Sequence, residues 1–342
     1  MDNNNYIGLL KNDTINFKDK RTNKYVTLYR IIALKSFKIQ CDQPGVQDME
    51  IIDKYLSILK TKIKEVKSSS DQINLMLTDL DTPDIKLYIK NPDKYVIDRK
   101  DSIPENELTN LINDLKLEVR KYQELMRKQS KLEYELKILN AKFSDITRHL
   151  EEGSNEYYID KYQIGGYVES LDNISADESE PAWIDNMSRI WGNSIISNNT
   201  YVAGKCTISN YGLEPTVIKN SVITGHCTIN TEGSTISNSI LTDMVEIHNS
   251  VSITNCIIKN YSMVYDSADI NNTFMEVGAC VRSNAVVSNS ILLDTAHVHN
   301  NAIVNSCICT DETSIYSKTV SGEIINQQIE LKETRGNEFS TI

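Results

Sequence analysis

The sequence predicts a mainly β protein, in which hexapeptide repeats form a left-handed parallel β-helix that carries an inserted α-helical coiled-coil hairpin. Three observations predict this fold. Aliphatic residues recur every six positions in the C-terminal half, and one short motif there recurs every 17 residues. In an earlier segment, apolar residues are separated alternately by three and four positions. The chain has 342 residues, which is enough for two or three structural units.

The hexapeptide repeat is clearest at Ile190, Ile196, Val202 and Ile208, which lie six residues apart and each follow a small residue by two positions. The motif at residues 238–241 then recurs three times at intervals of 17. Short strands on three sides, each with one aliphatic side chain pointing inward, give 17 to 18 residues per coil. This triangular coil is typical of a left-handed β-helix.

We assign the β-helix to residues 164–317 and a cap or tail to residues 318–342. Asparagine is frequent at the turns between the short strands. We expect these asparagines to adopt left-handed backbone angles and to stack as ladders of side-chain amides.

Two insertions interrupt the repeat. Residues 209–216 add about four residues between Ile208 and Ile218, and residues 231–234 add one. Insertions in repeat proteins form loops at a corner, and such loops often bind ligands. Tyr211 and Glu214 are therefore candidate ligand-binding residues. The alternative is that both insertions are surface irregularities that the fold tolerates.

Residues 38–163 form the predicted helical insertion, with helices at about 47–80 and 105–151. Thr82-Pro83-Asp84 is predicted to end the first helix, and residues 85–103, which include Asn91-Pro92-Asp93, are predicted to be extended. Two helices of this length cannot bury their apolar stripes alone. The sequence predicts that they pair as an antiparallel hairpin, across subunits, or both, with a compact helical domain as the alternative.

Each helix carries one apolar seam at spacings of three and four. The first seam contains Ser70 as its weak member, and the second includes Met126 and Gln129. The seam residues expected to drive oligomerisation are Leu56, Leu59, Ile63, Leu115, Val119, Leu136, Leu139 and Phe143.

Two short segments flank the helical insertion. Residues 29–37 fit the pattern Tyr-Arg-Ile-x-Ala-Leu-x-x-Phe, and residues 165–170 read Gly-Gly-Tyr-Val-Glu-Ser. An Asn-Ile-Ser turn at 173–175 and Trp-Ile-Asp-Asn at 183–186 follow. These segments resemble a family of hexapeptide-repeat proteins common in bacteriophage and prophage genomes. The resemblance implies a left-handed β-helix and a virion or fibre component, although the long helices depart from the family pattern.

Residues 1–37 are assigned as a basic N-terminal arm and leading strand. Residues 1–36 hold seven basic and three acidic side chains. This excess indicates either a surface that contacts other virion proteins or a solvated tail. The polar first residues predict no secretory leader. No apolar run approaches the roughly 18 residues of a membrane helix, so we predict no membrane partner.

The composition disfavours several classes of protein. A net charge of −11 argues against nucleic-acid binding, which depends on neutralising phosphates. The seven cysteines include no CxxC pair and are predicted to be small buried residues rather than disulfides or a zinc site. The sequence contains no Gly-rich phosphate loop and no metal-binding motif. We predict neither a cofactor nor a metal.

His226 is the best catalytic candidate among the five histidines. Acyltransferases built on this scaffold use a histidine base, and His226 lies in a turn close in sequence to the insertion at 209–216. A general base needs an orienting partner and a substrate pocket, and the sequence shows neither. His297 and His299 flank the inward-facing Val298 and are interpreted as exposed polar residues rather than metal ligands. We therefore predict that the protein is not an enzyme.

These interpretations together predict a structural protein of a bacteriophage virion, such as a head fibre, decoration or tail-associated protein. Flat-sided prisms and long helices favour a homotrimer. Two alternatives stay open. One is a trimeric hexapeptide-repeat acyltransferase, and the other is a module that binds a host glycan or protein through the corner loop.

Overall fold

A computed structural model describes residues 6–42, 44, 50–100, 102–151, 155–175, 178–185 and 187–325. The chain forms two compact units, one made of Met1–Asp53 with Glu152–Ile342 and the other of Lys54–Glu151. The first contains a parallel β-solenoid of about eight turns. The second contains helices.

The solenoid has three faces, and each face is a sheet in which strands of successive coils stack in parallel. The first face is an 11-stranded sheet, formed in spatial order by β1 (Ile7–Lys18), β2 (Tyr25–Ala33), β5 (Ile164–Val168), β7 (Arg189–Gly192), β10 (Thr207–Asn210), β13 (Thr228–Thr231), β16 (Glu246–Asn249), β19 (Met263–Val264), β22 (Cys280–Val281), β25 (His297–His299) and β28 (Ser314–Tyr316).

The other two faces follow the same pattern. The second face is an 8-stranded sheet, formed by β8 (Ser194–Ser197), β11 (Thr216–Lys219), β14 (Thr235–Ser237), β17 (Ser252–Thr254), β20 (Asp269–Asn271), β23 (Val286–Ser288), β26 (Ile303–Asn305) and β29 (Thr319–Ser321). The third face is a 9-stranded sheet, formed by β6 (Trp183–Ile184), β9 (Tyr201–Val202), β12 (Val222–Thr224), β15 (Ile240–Thr242), β18 (Ile257–Lys259), β21 (Phe274–Met275), β24 (Ile291–Leu292), β27 (Ile308–Cys309) and β30 (Ile324–Ile325).

The six-residue period sets the register between coils. Ile208 pairs with Ile190 on one neighbouring coil and with Ile229 on the other, and all three side chains are fully buried. Side chains alternate across a strand, so each inward residue lies between two outward ones. The interior of the solenoid is therefore a continuous stack of aliphatic side chains.

The solenoid continues beyond the predicted boundary after residue 317. Strands β29 and β30 pair in parallel with β26 and β27. Val320 and Ile325 are buried and extend the stack of inward-facing residues by one more coil. Ile329 and Leu331 of the predicted tail lie outside the described residues.

Asparagines turn the corners, as predicted. Asn220, Asn238, Asn255, Asn272 and Asn289 have φ values between 46° and 53°, a left-handed region that asparagine tolerates better than most residues. The Asn220 amide donates a hydrogen bond to the Asn238 side-chain oxygen at 2.7 Å, and Asn272 donates to Asn289 at 2.8 Å. The left-handed corners are confirmed, and the predicted amide hydrogen bonds are present for these two pairs.

The segment predicted as a basic arm contains a β-hairpin that belongs to the first face. Strands β1 and β2 pair antiparallel, and β2 pairs with β5. Gly165 in β5 permits close packing here, because a Cβ atom at this position would lie 2.5 Å from the Ile184 carbonyl oxygen and 2.8 Å from the Trp183 ring.

An aromatic cluster closes the N-terminal end of the solenoid. Trp183 is fully buried and packs edge-to-face against Phe37 with ring centroids 5.8 Å apart. Tyr6 packs on the other side of Phe37 at 4.8 Å, and its hydroxyl donates to the Ser175 carbonyl at 2.8 Å. These rings lie at β6, the end strand of the third face, which has no further coil to pair with on that side.

A two-stranded antiparallel ribbon, β3 (Phe37–Cys41) with β4 (Asn155–Ile159), leads from the solenoid toward the helical unit in the sequence. Within the described residues, the helices are α1 (Glu50–Leu80), α2 (Pro83–Lys90), α3 (Pro92–Lys100) and α4 (Glu105–Glu151). The predicted start of the first helix at residues 47–49 lies outside the described residues.

Helices α1 and α4 run antiparallel within one chain. The Gln129 side-chain amide donates to the Ser70 hydroxyl at 2.8 Å, and the Lys60 ammonium lies 5.4 Å from the ring centroid of Phe143. The polar residues that weakened the two predicted seams thus bind each other. A buried hydrogen bond between two polar side chains favours the register that forms it over registers that would leave both groups without that partner.

The prediction of an extended segment at residues 85–103 was wrong, because α2 and α3 occupy most of it. Pro83 and Pro92 lie in the first turn of each helix, where the missing N–H costs no hydrogen bond. The Thr82 hydroxyl and the Asn91 side-chain oxygen accept backbone N–H groups at 3.3 and 3.0 Å. These prolines start helices instead of excluding them.

The predicted seam residues lie on partly or fully buried positions. Leu59, Leu115 and Val119 are buried, whereas Leu56, Ile63, Leu136, Leu139 and Phe143 are half-buried. Met126 is 43% exposed, so its predicted place in the seam was wrong. Leu125 is half-buried there instead, three residues after Tyr122 and four before Gln129. Among the described helices, none is long and apolar enough to cross a membrane.

Candidate functional site

The structure places His226 apart from the other candidate residues. It follows Gly225 in the turn between β12 and β13, at the corner where the third face meets the first. Its side chain is exposed, and it has no hydrogen-bond or ion-pair partner among the described residues. The loop with Tyr211 and Glu214 lies at a different corner, between the first and second faces. His226 is therefore close to the 209–216 insertion in the sequence but lies at a different corner of the solenoid.

The two insertions meet at that corner on successive coils. A Cβ atom on Gly212 would lie 3.0 Å from the Cβ of Glu232, and a Cβ atom on Gly233 would lie 2.8 Å from the Cβ of Glu214. The Asn210 amide supports the loop from inside by donating to the Glu214 carbonyl at 2.7 Å. The insertions therefore form one packed corner.

The tip of the β1–β2 hairpin packs against this corner and forms what we call the hairpin-tip cluster, made of Asp19, Arg21, Trp191 and Tyr211. The Tyr211 hydroxyl donates to the Asp19 carboxylate and accepts the Trp191 indole N–H at 3.2 Å. The Arg21 guanidinium lies 5.9 Å from the Tyr211 ring centroid. Tyr211 is thus engaged within the chain, whereas Glu214 is exposed.

Sequence reasoning missed Asp19 and Trp191. Asp19 is 192 positions from Tyr211, and neither residue belongs to a motif. The one available signal was the turn-forming run Asp19-Lys20-Arg21-Thr22-Asn23 between two segments rich in β-branched and aromatic residues.

The hairpin-tip cluster shifts the acidities of its members. Burial acts to raise the pKa of Asp19, but hydrogen bonds from the Thr22 backbone, the Tyr211 hydroxyl and the Thr22 hydroxyl outweigh it and hold that pKa below its ordinary value. Burial, followed by the hydrogen bond with Asp19, raises the pKa of Tyr211. At neutral pH the cluster therefore holds an ionised carboxylate that accepts from a neutral phenol.

Asp19→Asn is expected to lower the free energy of unfolding at pH 7 by about 1–3 kcal/mol, since charge-assisted hydrogen bonds are lost. Because the folded pKa is depressed, the stabilisation is fully present above the ordinary value of 3.8 and is lost as the pH falls through the folded pKa. Urea unfolding at several pH values, followed by tryptophan fluorescence, measures both effects. Glu214→Gln, at the same corner, is the control and should change stability little. Parallel pH profiles for wild type and Asp19→Asn would contradict this prediction.

A row of outward side chains continues along the first face beyond the hairpin. The imidazole of His248 stacks on Tyr265 with centroids 5.2 Å apart, and His299 meets Tyr316 edge-to-face at 5.0 Å. Burial lowers the pKa of His248, although Glu246 at 3.7 Å acts in the opposite direction. Burial and then the charge of Arg282 lower the pKa values of the histidines at 297 and 299.

His297 and His299 flank inward-facing Val298, as the sequence predicted. Both are half-buried, and the His299 Nε2 atom lies 3.1 Å from the Ser314 hydroxyl. Within the described residues, no group of three or more His, Cys, Asp or Glu side chains is arranged to hold a metal ion. All seven cysteines are free thiols and buried.

One comparison with known families finds a match. Residues 187–273 match the family described as GlmU-like, C-terminal hexapeptide, which covers about a quarter of the chain and includes His226 and His248. A comparison with curated proteins finds no match. The hexapeptide match fits the predicted left-handed β-helix, and together with the three-faced solenoid it supports a hexapeptide-repeat β-helix protein.

Proposed function

We propose that the protein is a non-catalytic assembly component, in which the solenoid is a rigid scaffold and the helical unit joins subunits. The isolation of His226 is the observation that carries the non-catalytic part. A histidine base needs a group that holds its tautomer and a bound substrate within hydrogen-bond reach. His226 is an exposed turn residue with no partner among the described residues, and the packed corner lies elsewhere on the solenoid.

A bacteriophage virion is the location that we propose. This rests on the resemblance of residues 25–37 and 164–208 to phage and prophage hexapeptide-repeat proteins. The β1–β2 hairpin, which holds most of the N-terminal basic residues, is the surface proposed to contact other virion proteins. Mass spectrometry of purified particles is expected to detect the protein at a stoichiometry in multiples of three. Its absence from the particles would overturn the virion role.

Exposed apolar residues on the helical unit support association between subunits. Leu75 and Leu117 are 69% and 68% exposed. The contact between α1 and α4 within the chain does not cover them. Large exposed apolar side chains on both α1 and α4 favour a partner surface. We expect light scattering of the purified chain at micromolar concentration to give three times its 38.8 kDa mass. A monomer would overturn the homotrimer.

Acyl transfer is the second candidate function, because the matched family segment contains His226. We expect no turnover of acyl-CoA thioesters by the wild-type protein, measured as thiol release with a panel of acceptor amines and alcohols. Turnover that His226→Ala abolishes and His299→Ala preserves would overturn the non-catalytic proposal. His299 is a suitable control, since it lies on the first face away from the corner that holds His226.

A further inference from the structure

The turn between α2 and α3 in the helical unit forms a cavity of about 380 Å³, which we call the elbow cleft. Its lining comes from the C-terminal half of α2, from Asn91 and from α3. Sites for small ligands are concave and commonly have volumes of about 300–1,000 Å³. The elbow cleft therefore has the size of a small-ligand site.

Asn91 fixes the shape of the elbow cleft, because it is the single residue that separates α2 from α3. Its backbone N–H donates to the Leu87 carbonyl at 3.0 Å, and its side-chain oxygen accepts the Lys94 backbone N–H at 3.0 Å. Pro92 restricts the φ angle of the first residue of α3. The two helices are therefore joined without a flexible loop, so a ligand would meet a preorganised site.

Cations dominate the charge of the lining, which contains Lys90, Lys94 and Arg99 against one carboxylate, that of Asp98. Neither lysine ammonium forms an ion pair with a residue that the structure describes. Lys94 also lies in the first turn of α3, where the positive end of the helix dipole disfavours another positive charge, whereas Asp93 in the same turn suits that end. An anion in the cleft would be attracted both by Lys94 and by this helix end.

Arg99 contributes a guanidinium that its neighbours hold in place. Its Nη2 atom donates to the Asp84 carboxylate at 2.5 Å, and its central carbon lies 3.8 Å from the ring centroid of Tyr95. Tyr95 is buried in a core cluster with Ile85 and Leu115. The Nη1 and Nε atoms of Arg99 make no hydrogen bond with a described residue, and the side chain is 28% exposed. These two nitrogens can therefore donate to an oxyanion in the cleft.

We propose that the elbow cleft binds a small organic phosphate that is free in solution, with the phosphate group held by Lys90, Lys94 and Arg99. A phosphate monoester has three terminal oxygens and a charge of about −1.5 to −2 at pH 7, so it can accept hydrogen bonds from all three cations. A carboxylate has two oxygens and a single charge. The set of donors in the cleft therefore favours a phosphate over a carboxylate.

The other lining residues suit an organic group that has hydroxyls. The Asp98 carboxylate can accept a hydrogen bond from a hydroxyl, and the Asn91 side-chain amide can donate one, because the cap of α3 uses only its oxygen. Leu87 is 52% exposed and offers an apolar contact. We therefore expect an ester such as glycerol 3-phosphate to bind more tightly than inorganic phosphate.

Isothermal titration calorimetry of the full chain tests the site with glycerol 3-phosphate, inorganic phosphate and glycerol. We expect saturable binding of glycerol 3-phosphate at one site per chain, weaker binding of inorganic phosphate and no binding of glycerol. Lys90→Ala/Lys94→Ala should weaken the affinity for glycerol 3-phosphate at least about tenfold, because two charge-assisted hydrogen bonds are lost. Lys62→Ala/Lys64→Ala removes two exposed lysines from α1. This matched control should leave the affinity nearly unchanged, because salt screens distant surface charges.

The absence of saturable binding of glycerol 3-phosphate would overturn the site, and so would an equal loss of affinity in the two double variants. Binding only to vesicles that contain phosphatidic acid would overturn the free ligand and identify a lipid headgroup instead. A smaller mass of Lys90→Ala/Lys94→Ala than of the control in light scattering would identify the cleft as a contact between subunits. Binding of the ester requires neither a trimer nor a virion location, so the site and the proposed function fail separately.

Discussion

Trp183→Ala is expected to lower the free energy of unfolding by about 3–5 kcal/mol, the cost of deleting a large buried aromatic side chain. Trp183 is fully buried, and its ring packs against Phe37. The loss of stability should be largest in the N-terminal coils, because each coil of a solenoid contacts only its neighbours. Hydrogen exchange of the amides in β6, β7 and β9 measures this local opening. Urea unfolding followed by circular dichroism measures the global loss.

Trp183→Phe is the matched control for this prediction. The indole N–H of Trp183 is buried and makes no hydrogen bond among the described residues. Phenylalanine removes that unsatisfied donor and keeps an aromatic ring, so the cost of the smaller ring is partly offset. We expect a loss of at most about 1.5 kcal/mol. Equal losses in the two variants would show that the ring does not close the end of the solenoid.

Gly192→Ala is expected to cost about 2–5 kcal/mol, the second largest effect. Gly192 ends β7 with φ of 69°, a conformation that costs an L-residue about 1–2 kcal/mol. A Cβ atom there would also collide with the carbonyl oxygen of Asn210 on the next coil. That oxygen accepts the Asn193 N–H at 3.1 Å, so it cannot withdraw without breaking a hydrogen bond between coils.

Gly278→Ala separates the two causes. Gly278 has a φ of 82°, but its nearest atom to an added Cβ is the Thr295 methyl at 3.9 Å. This variant should lose only the conformational cost of about 1–2 kcal/mol. Urea unfolding of both variants under the same conditions gives the comparison. If the two losses are equal, the contact between Gly192 and Asn210 does not limit the packing of coils.

Features that repeat from coil to coil could be predicted from the sequence. Ile208 pairs with the equivalent residues Ile190 and Ile229 on the neighbouring coils. The contact between them can therefore be predicted from the repeat spacing alone. The corner asparagines follow the same logic, because few other residues adopt left-handed angles at low cost. The inward column, the corners and the side-chain ladders all depend on this local periodicity.

The helical unit shows where pattern alone was insufficient. Residues 85–103 were predicted to be extended, yet Pro83 and Pro92 each start a helix that Thr82 or Asn91 caps. A proline has both effects, and the residues that precede it decide between them. The seam spacing predicted an apolar stripe in each helix. The hydrogen bond from Gln129 to Ser70 shows which register the two stripes adopt.

The amino-acid sequence by itself determined the coil, its three sides, its inward residues and its asparagine corners, because these features arise from contacts that repeat every 17 or 18 residues. Only the tertiary structure decided what lies on the outside of that coil. The hairpin tip reaches Tyr211 across 192 positions, and the two insertions meet at one corner away from His226. Contacts of this kind join segments that share no period, so no spacing in the sequence encodes them.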